Sequence, residues 1–262
     1  MAKKSRKDIG VYYPKFCKIM RAIIKPTKFY RACLNDMKFY LWQKVFERRP
    51  VSILLYHLVP EDFPWQMDYL YNNKYRIISL EELLKCLKAC EPLPSKTVAL
   101  TFDDGYEDNY FTAFPILKKH NFPATIFLVT SRIGNKDYVD RRGIKLSMLD
   151  WGQIKEMNDS GLVDFEPHTV NHSKLTNVDF ETAKREMEIS KGIIEKTLNK
   201  KCKFFAYPSG RYNDKIKNLA SKFFEMCLTT KRGFITSGQD RFSLPRNAVD
   251  ALVNKFRFKL KI

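Results

Sequence analysis

Two pairs of side chains in this 262-residue chain could act together on one metal ion. Asp103 and Asp104 follow an apolar run, and because adjacent carboxylates point in different directions, one can bind a metal while the other takes a proton from water. His168 and His172 are four residues apart, a spacing that brings both imidazoles to one ion if the segment is helical or tightly turned. Half of the four histidines lie in this one short segment, which favours a metal site.

Each pair also has an interpretation that involves no chemistry. Asp103, Asp104 and Gly105 are typical of a helix N-cap followed by a turn residue. Two histidines at this spacing are often one capping residue and one solvated residue. A third segment, residues 207–210 (Tyr-Pro-Ser-Gly), closes another apolar run with a turn that exposes backbone N–H groups, as a plain strand end also does.

The elements that must position these groups alternate between strand and helix. Short β-branched runs predict strands at 51–58, 75–78, 97–102, 124–130, 162–166, 203–206, 226–229 and 243–249. Amphipathic stretches predict helices at 80–89, 110–120, 151–160, 178–198 and 214–223. Seven or eight βα units favour an α/β fold with a parallel barrel, in which chemistry lies at the C-terminal ends of the strands. All three segments follow predicted strands.

The net charge of +18 is concentrated at the two ends of the chain. Residues 1–49 hold 14 Lys and Arg against three acids, and residues 255–262 add four basic residues with no acid. We therefore predict a basic extension, 1–49, and a barrel domain, 50–262. No run of 18 apolar residues occurs, so no spanning helix is predicted, and without the apolar region of a signal peptide at the start we expect a cytoplasmic protein.

Taken together, three motifs resemble those of the polysaccharide deacetylase superfamily, carbohydrate esterase family 4. They are residues 101–105 (Thr-Phe-Asp-Asp-Gly), the His168 and His172 pair, and residues 207–210. Further similarities lie at 54–57 (Leu-Leu-Tyr-His), 149–151 (Leu-Asp-Trp) and 243–246 (Ser-Leu-Pro-Arg), so the resemblance covers about residues 50–250. It implies a distorted barrel of about seven parallel strands.

The resemblance also implies roles for individual residues. Asp104, His168 and His172 would hold a divalent metal, usually zinc in this family, and Asp103 would be the general base. A backbone N–H near Ser209 would help to stabilise the oxyanion. The substrate and oxyanion side of the site would comprise Tyr207, Pro208 and Ser209.

This sequence lacks the family's usual residue at two positions, so other residues must take those two roles. Many members protonate the leaving amine with a late histidine, but no histidine follows His172, so we predict His57, at the end of the first strand, as the acid. Its alternative is a buried structural histidine. Ala206 stands where many members have an arginine that orients the base, so we predict Arg246 for that task, with a surface arginine as the alternative. His120 is predicted to be solvated.

The function that these features favour is metal-dependent removal of an N-acetyl group from an amino sugar in a glycan or a lipid-linked glycan precursor. After Pro26, apolar residues at spacings of three and four form a stripe on a basic helix: Tyr30, Leu34, Met37, Leu41 and Val45. Such a helix can bind the anionic surface on the inner face of a membrane, or it can pack on the barrel. The alternatives are a non-catalytic sugar-binding homologue and a basic nucleic-acid-binding protein, although no nucleic acid partner is expected.

Overall fold

The structure, a computed structural model, describes residues 51–89, 95–140, 143–236, 238–249 and 253–262. Its strands are β1 (Ser52–Tyr56), β2 (Arg76–Ile77), β3 (Thr97–Asp104), β4 (Ala124–Leu128), β5 (Tyr138–Val139), β6 (Lys145–Leu146), β7 (Val163–Pro167), β8 (Phe204–Ala206), β9 (Met226–Leu228) and β10 (Asn247–Ala248). Its helices are α1 (Phe63–Asn72), α2 (Leu80–Lys88), α3 (Phe114–His120), α4 (Trp151–Asp159), α5 (Phe180–Leu198), α6 (Asp214–Phe223) and α7 (Lys255–Lys259). The basic extension predicted at 1–49 lies outside these residues.

Parallel strands form the centre of the fold, as the βα pattern predicts. The main sheet has the order β10, β1, β3, β4 and β7, with β2 paired to the start of β3, and every pair in it is parallel. Strands β8 and β9 form a second parallel pair, while β5 and β6 form a small antiparallel hairpin. The α/β class is confirmed, but the ladders among the described residues form separate sheets rather than one closed ring.

Side chains take the place of a backbone ladder between β7 and β8. The carboxylate of Glu166 on β7 accepts the backbone N–H groups of Lys203 and Phe204, at 3.2 and 3.1 Å. Burial raises the pKa of Glu166 to about 8, although the ammonium of Lys200, 3.3 Å away, opposes that change. The two sheets are therefore joined by a buried polar contact at this point, which we call the seam.

Both faces of the main sheet are buried, so its strands read as continuous apolar runs. One face of β3 packs Leu100 and Phe102 into a cluster that includes residues of α1, α3 and α4. The opposite face packs Ala99 with Phe204 of β8 and Met226 of β9. The seam thus closes an apolar interior that both sheets share.

The helix ends follow from local sequence, and the misses have local causes. Asp150 and Gln153 form a capping box at the start of α4, and Asp179 caps α5. The helix predicted at 110–120 begins as a π-helical turn, Asn109–Ala113, before α3.

Some elements were not predicted from the sequence: α1, α7 and the β5–β6 hairpin, which are short or rich in aromatic residues. The strand predicted at 243–249 is shorter in the structure, where only β10 forms. No helix in the described ranges has the length and apolar character needed to cross a membrane.

Candidate active site

The two adjacent carboxylates end a strand rather than begin a helix. Asp103 and Asp104 are the last residues of β3, and the next helical turn starts only at Asn109. The N-cap interpretation is therefore wrong. Asp104 has φ of 72° and Gly105 has φ of 76°, so the chain turns sharply as it leaves the sheet. A Cβ at Gly105 would lie 2.7 Å from Cδ2 of Leu128, which explains the glycine.

Asp103 is paired with a buried arginine from the far end of the chain. Nη1 and Nη2 of Arg246 each lie 2.7 Å from a different oxygen of Asp103, and Nε donates to the carbonyl of Thr229. Arg246 is 0% exposed, so the surface-arginine interpretation is wrong. Burial alone would raise the pKa of Asp103, but Arg246 and then His168 lower it to about 2. Asp103 is thus an ionised, oriented carboxylate at neutral pH.

Three further groups form a cluster that fits a metal ion. One ligand atom from each of Asp104, His168 and His172 lies within 4.8 Å of the other two. Nδ1 of His168 donates to the carbonyl of Ala206 at 2.7 Å, which leaves Nε2 free to bind a metal. Burial lowers the pKa of His168 and so favours the neutral imidazole that metals need. One carboxylate and two imidazoles are a set that suits zinc and related divalent ions.

The other oxygen contacts of Asp104 come from two residues in the same cleft. The hydroxyl of Tyr106 donates to its Oδ2 at 3.2 Å, and Nη1 of Arg132 lies 3.3 Å from its Oδ1. The guanidinium of Arg132 also lies over the ring of Tyr138, 4.5 Å from its centre. These contacts hold the Asp104 carboxylate toward the histidines, with Nε2 of His172 3.7 Å from Oδ1.

The loop that carries both histidines is strained and is held by a glutamate on α5. Thr169 and His172 have positive φ values of 70° and 57°, and the value is unusual for a β-branched residue such as Thr169. The Glu186 carboxylate accepts the backbone N–H groups of Val170 and Asn171, each at 2.9 Å. Glu186 was not predicted from the sequence, although an acidic residue on the apolar face of a predicted helix was a signal for it.

The third predicted segment contributes one residue to the cleft. Ser209 has φ of 57° and lines the cleft, and a Cβ at Gly210 would lie 2.1 Å from Oγ1 of Thr230. Tyr207 is 0% exposed and its hydroxyl donates to the carbonyl of Phe242. The side chains of Tyr207 and Pro208 are therefore buried outside the cleft lining, and Ser209 is the one residue of the predicted three that lines it.

One cleft of about 480 Å³ gathers the remaining predicted residues. Its lining includes both carboxylates, both histidines, Ser209 and His57. His57 follows β1 and is exposed, so the interpretation as a buried structural histidine is wrong. Arg246 reaches the site from beneath, through Asp103.

Comparison with known proteins decides the family. A sequence model described as polysaccharide deacetylase matches residues 91–223, about half of the chain. The poly-beta-1,6-N-acetyl-D-glucosamine N-deacetylase of Staphylococcus epidermidis is 30% identical over 200 residues, which cover 73% of this chain and 67% of that protein. The chain belongs to the polysaccharide deacetylase family.

Solved structures of similar proteins share this fold. The Streptococcus pyogenes deacetylase PplD, in complex with acetate, is 30% identical with a TM-score of 0.69, covering 81% of this chain and 97% of that one. IcaB from Ammonifex degensii is 26% identical with a TM-score of 0.68, covering 81% and 95%. The chain therefore shares the α/β fold of these solved structures.

His120 lies outside the lining of the cleft that holds the candidate site residues, and the prediction that it is solvated is wrong. Its side chain is only 6% exposed, its Nε2 lies 2.9 Å from Asp68, and its ring stacks on Phe122. Tyr71 of α1 and Phe122, which follows α3, pack against its ring. A second cleft, of about 540 Å³, lies beside His120, but none of the candidate catalytic residues lines it.

Proposed function

We propose that this protein is a metal-dependent hydrolase that removes the N-acetyl group from an N-acetylated amino sugar in a glycan. One observation carries the proposal: Asp103, which is paired with Arg246, lies beside Asp104 at the end of one strand and lines one cleft with His168, His172 and His57. The composition of the ligand set supports zinc as the metal. The name of the staphylococcal relative supports a polymer of N-acetylglucosamine as the substrate class.

Each of these residues has a separate role in the hydrolysis. Asp103 accepts a proton from the attacking water, and Arg246 holds both oxygens of Asp103 so that a lone pair faces the cleft. The backbone N–H of Ser209 donates to the oxyanion that forms as water adds to the acetyl carbonyl. His57 gives a proton to the amine as the C–N bond breaks, so acetate and the free amino sugar result. A bound divalent metal would supply polarisation of the carbonyl and a lower pKa for water.

The test is acetate release by purified, zinc-loaded protein. We expect acetate from oligomers of β-1,6-linked N-acetylglucosamine, with β-1,4-linked oligomers as the comparison substrate. A rise in free amine equal to the acetate would show that an amide is cleaved. Folded protein with about one equivalent of zinc that releases no acetate from either oligomer would contradict the proposal.

We further propose a lipid-linked precursor as the natural form of the substrate. The support is the basic, apolar-striped segment after Pro26, which suits the surface of an anionic inner leaflet and a protein that works in the cytoplasm. Mass spectrometry of lipid-linked sugars from cells with and without the gene should show a shift of one acetyl group. Identical spectra would leave soluble or exported glycans as the substrate.

Membrane binding has its own test. Full-length protein should sediment with anionic liposomes at low salt and be partly released at high salt. A variant with Lys28, Arg31, Lys38 and Lys44 changed to Gln should lose most of this binding, while liposomes of neutral lipids should bind neither protein. Equal sedimentation of both proteins would contradict a role for these charges.

A further inference from the structure

The loop that carries His57 is tied to the end of β3 by two neighbouring side chains. Nδ2 of Asn109 donates to the backbone carbonyl of His57 at 3.2 Å. Oδ2 of Asp108 accepts the backbone N–H of Val59 at 2.7 Å. Oδ1 of Asp108 accepts Nδ2 of Asn109 at 2.9 Å, so the two side chains act as one unit. We call this unit the clasp.

The clasp sits at the start of the π-helical turn, Asn109–Ala113. The backbone N–H of Phe114 donates to the carbonyl of Asn109, five residues earlier, which is the bond of a π turn. Such turns are uncommon, are less stable than α-helical turns and occur frequently at functional sites. The same short stretch of chain therefore combines a costly backbone turn with the contacts to the His57 loop.

Asn109 is a poor choice for this position on packing grounds. It is 0% exposed, and its Oδ1 has no hydrogen-bond partner among the residues that the structure describes. Burial of an unsatisfied amide oxygen is unfavourable, so an apolar residue would serve the core better. What Asn109 provides instead is the donor to the carbonyl of His57.

The imidazole of His57 depends on its backbone for its position. Among the described residues, the exposed ring of His57 makes no hydrogen bond of its own. By contrast, Arg246 holds the side chain of Asp103, and the carbonyl of Ala206 holds the ring of His168. The geometry points to Asn109, together with Asp108, as the positioning residue for His57. This inference rests on the proposed function, in which His57 protonates the leaving amine. It assigns the clasp no direct contact with the substrate.

The experiment is a double-mutant cycle on zinc-loaded, full-length protein, with acetate release as the rate. N109A should lower kcat by about 10-fold to 10²-fold and leave KM within about twofold, because a misplaced acid slows the chemical step without weakening binding. In the H57A background the same change should alter kcat by less than about twofold. T112A, on the exposed side of the same π turn, is the matched control and should behave as wild type.

A second measurement does not need activity. In the NMR spectrum of the histidine rings, assigned with H57A, the His57 signal should move in N109A and stay in place in T112A. If N109A does not fold by circular dichroism, D108A replaces it, since that change frees the N–H of Val59 without opening a cavity at Asn109.

The outcomes separate the two proposals. An equal loss of kcat on adding N109A to wild type and to H57A, or an unmoved His57 signal, would overturn the positioning role. Full activity of H57A, with D103N inactive, would overturn it too while the deacetylase proposal stands. A wild-type protein that releases no acetate, but whose His57 signal moves in N109A, would refute the proposed activity and support the clasp.

Discussion

The different roles proposed for Asp103 and Asp104 depend on their different partners. Asp103 is bound by Arg246 on both oxygens, whereas Asp104 faces His168 and His172. The two aspartates could be recognised as a pair from the sequence because they follow an apolar run. Their partners were predicted from the family resemblance and not from the local pattern, since Arg246 reaches Asp103 from 143 residues further along the chain.

D103N tests the base. The amide keeps the shape of the side chain but is not a proton acceptor of comparable strength, so turnover should fall by about 10²–10⁴-fold while zinc stays bound. Acetate release and metal content are measured on the same preparation. Loss of zinc together with activity would indicate that the roles of Asp103 and Asp104 are exchanged.

R246M tests the buried pair on metal-free protein. Removing one partner leaves an unpaired buried carboxylate, so the free energy of unfolding should fall by about 3–5 kcal/mol in denaturant titration. The double variant D103N/R246M should be more stable than R246M alone, because no unpaired charge is left. A double variant less stable than R246M would show that packing of the arginine, rather than its charge, is what matters.

At the scale of elements, Asp108 joins the π turn to the loop after β1, and it should make the free energy of unfolding depend on pH. Burial raises the pKa of Asp108 from its ordinary value of 3.8 to about 6, although the N–H of Val59 opposes this rise. As pH increases from about 4 to about 6, the unfolded chain gives up this proton before the folded protein does. The free energy of unfolding should therefore fall across this window, by up to about 3 kcal/mol.

D108N isolates this contribution, because an amide does not titrate. Chemical unfolding at several pH values between 4 and 6 should show a steeper decline in wild type than in D108N. The difference between the two curves removes the contribution of the other carboxyl groups. Parallel curves would mean that Asp108 has an ordinary pKa in the folded protein.

Element positions could be predicted from the sequence where one local signal decides them. The apolar runs of β3 and β4 and the capping residues of α4 and α5 are such signals. Glu166 had no equivalent signal, because it acquires its role only from backbone N–H groups elsewhere in the chain. Glu186 stood out as an acidic residue on an apolar helix face, but its backbone partners could not be predicted in that way. The same holds for the clasp, whose contacts join two loops that are about fifty residues apart.

At the scale of the whole molecule, a bound metal should stabilise the fold because the three candidate ligands, Asp104, His168 and His172, come from two separate strand ends. Zinc at a hundred times its dissociation constant should raise the free energy of unfolding by about 2.7 kcal/mol. The H168A/H172A variant should show no such gain. H120A is the matched control, since that histidine lies outside the cleft, and it should respond as wild type does. Equal stabilisation of H168A/H172A by zinc would place the site elsewhere.

The seam concentrates two of the contacts between the two sheets on one side chain. A backbone ladder spreads its strength over many bonds that no single substitution can remove, whereas here Glu166 alone holds two N–H groups at the start of β8. That strand orients His168 through Ala206 and leads directly to Ser209. A single substitution at Glu166 would therefore release two backbone N–H groups at the start of the strand that leads to Ser209, with no change to any residue that lines the cleft.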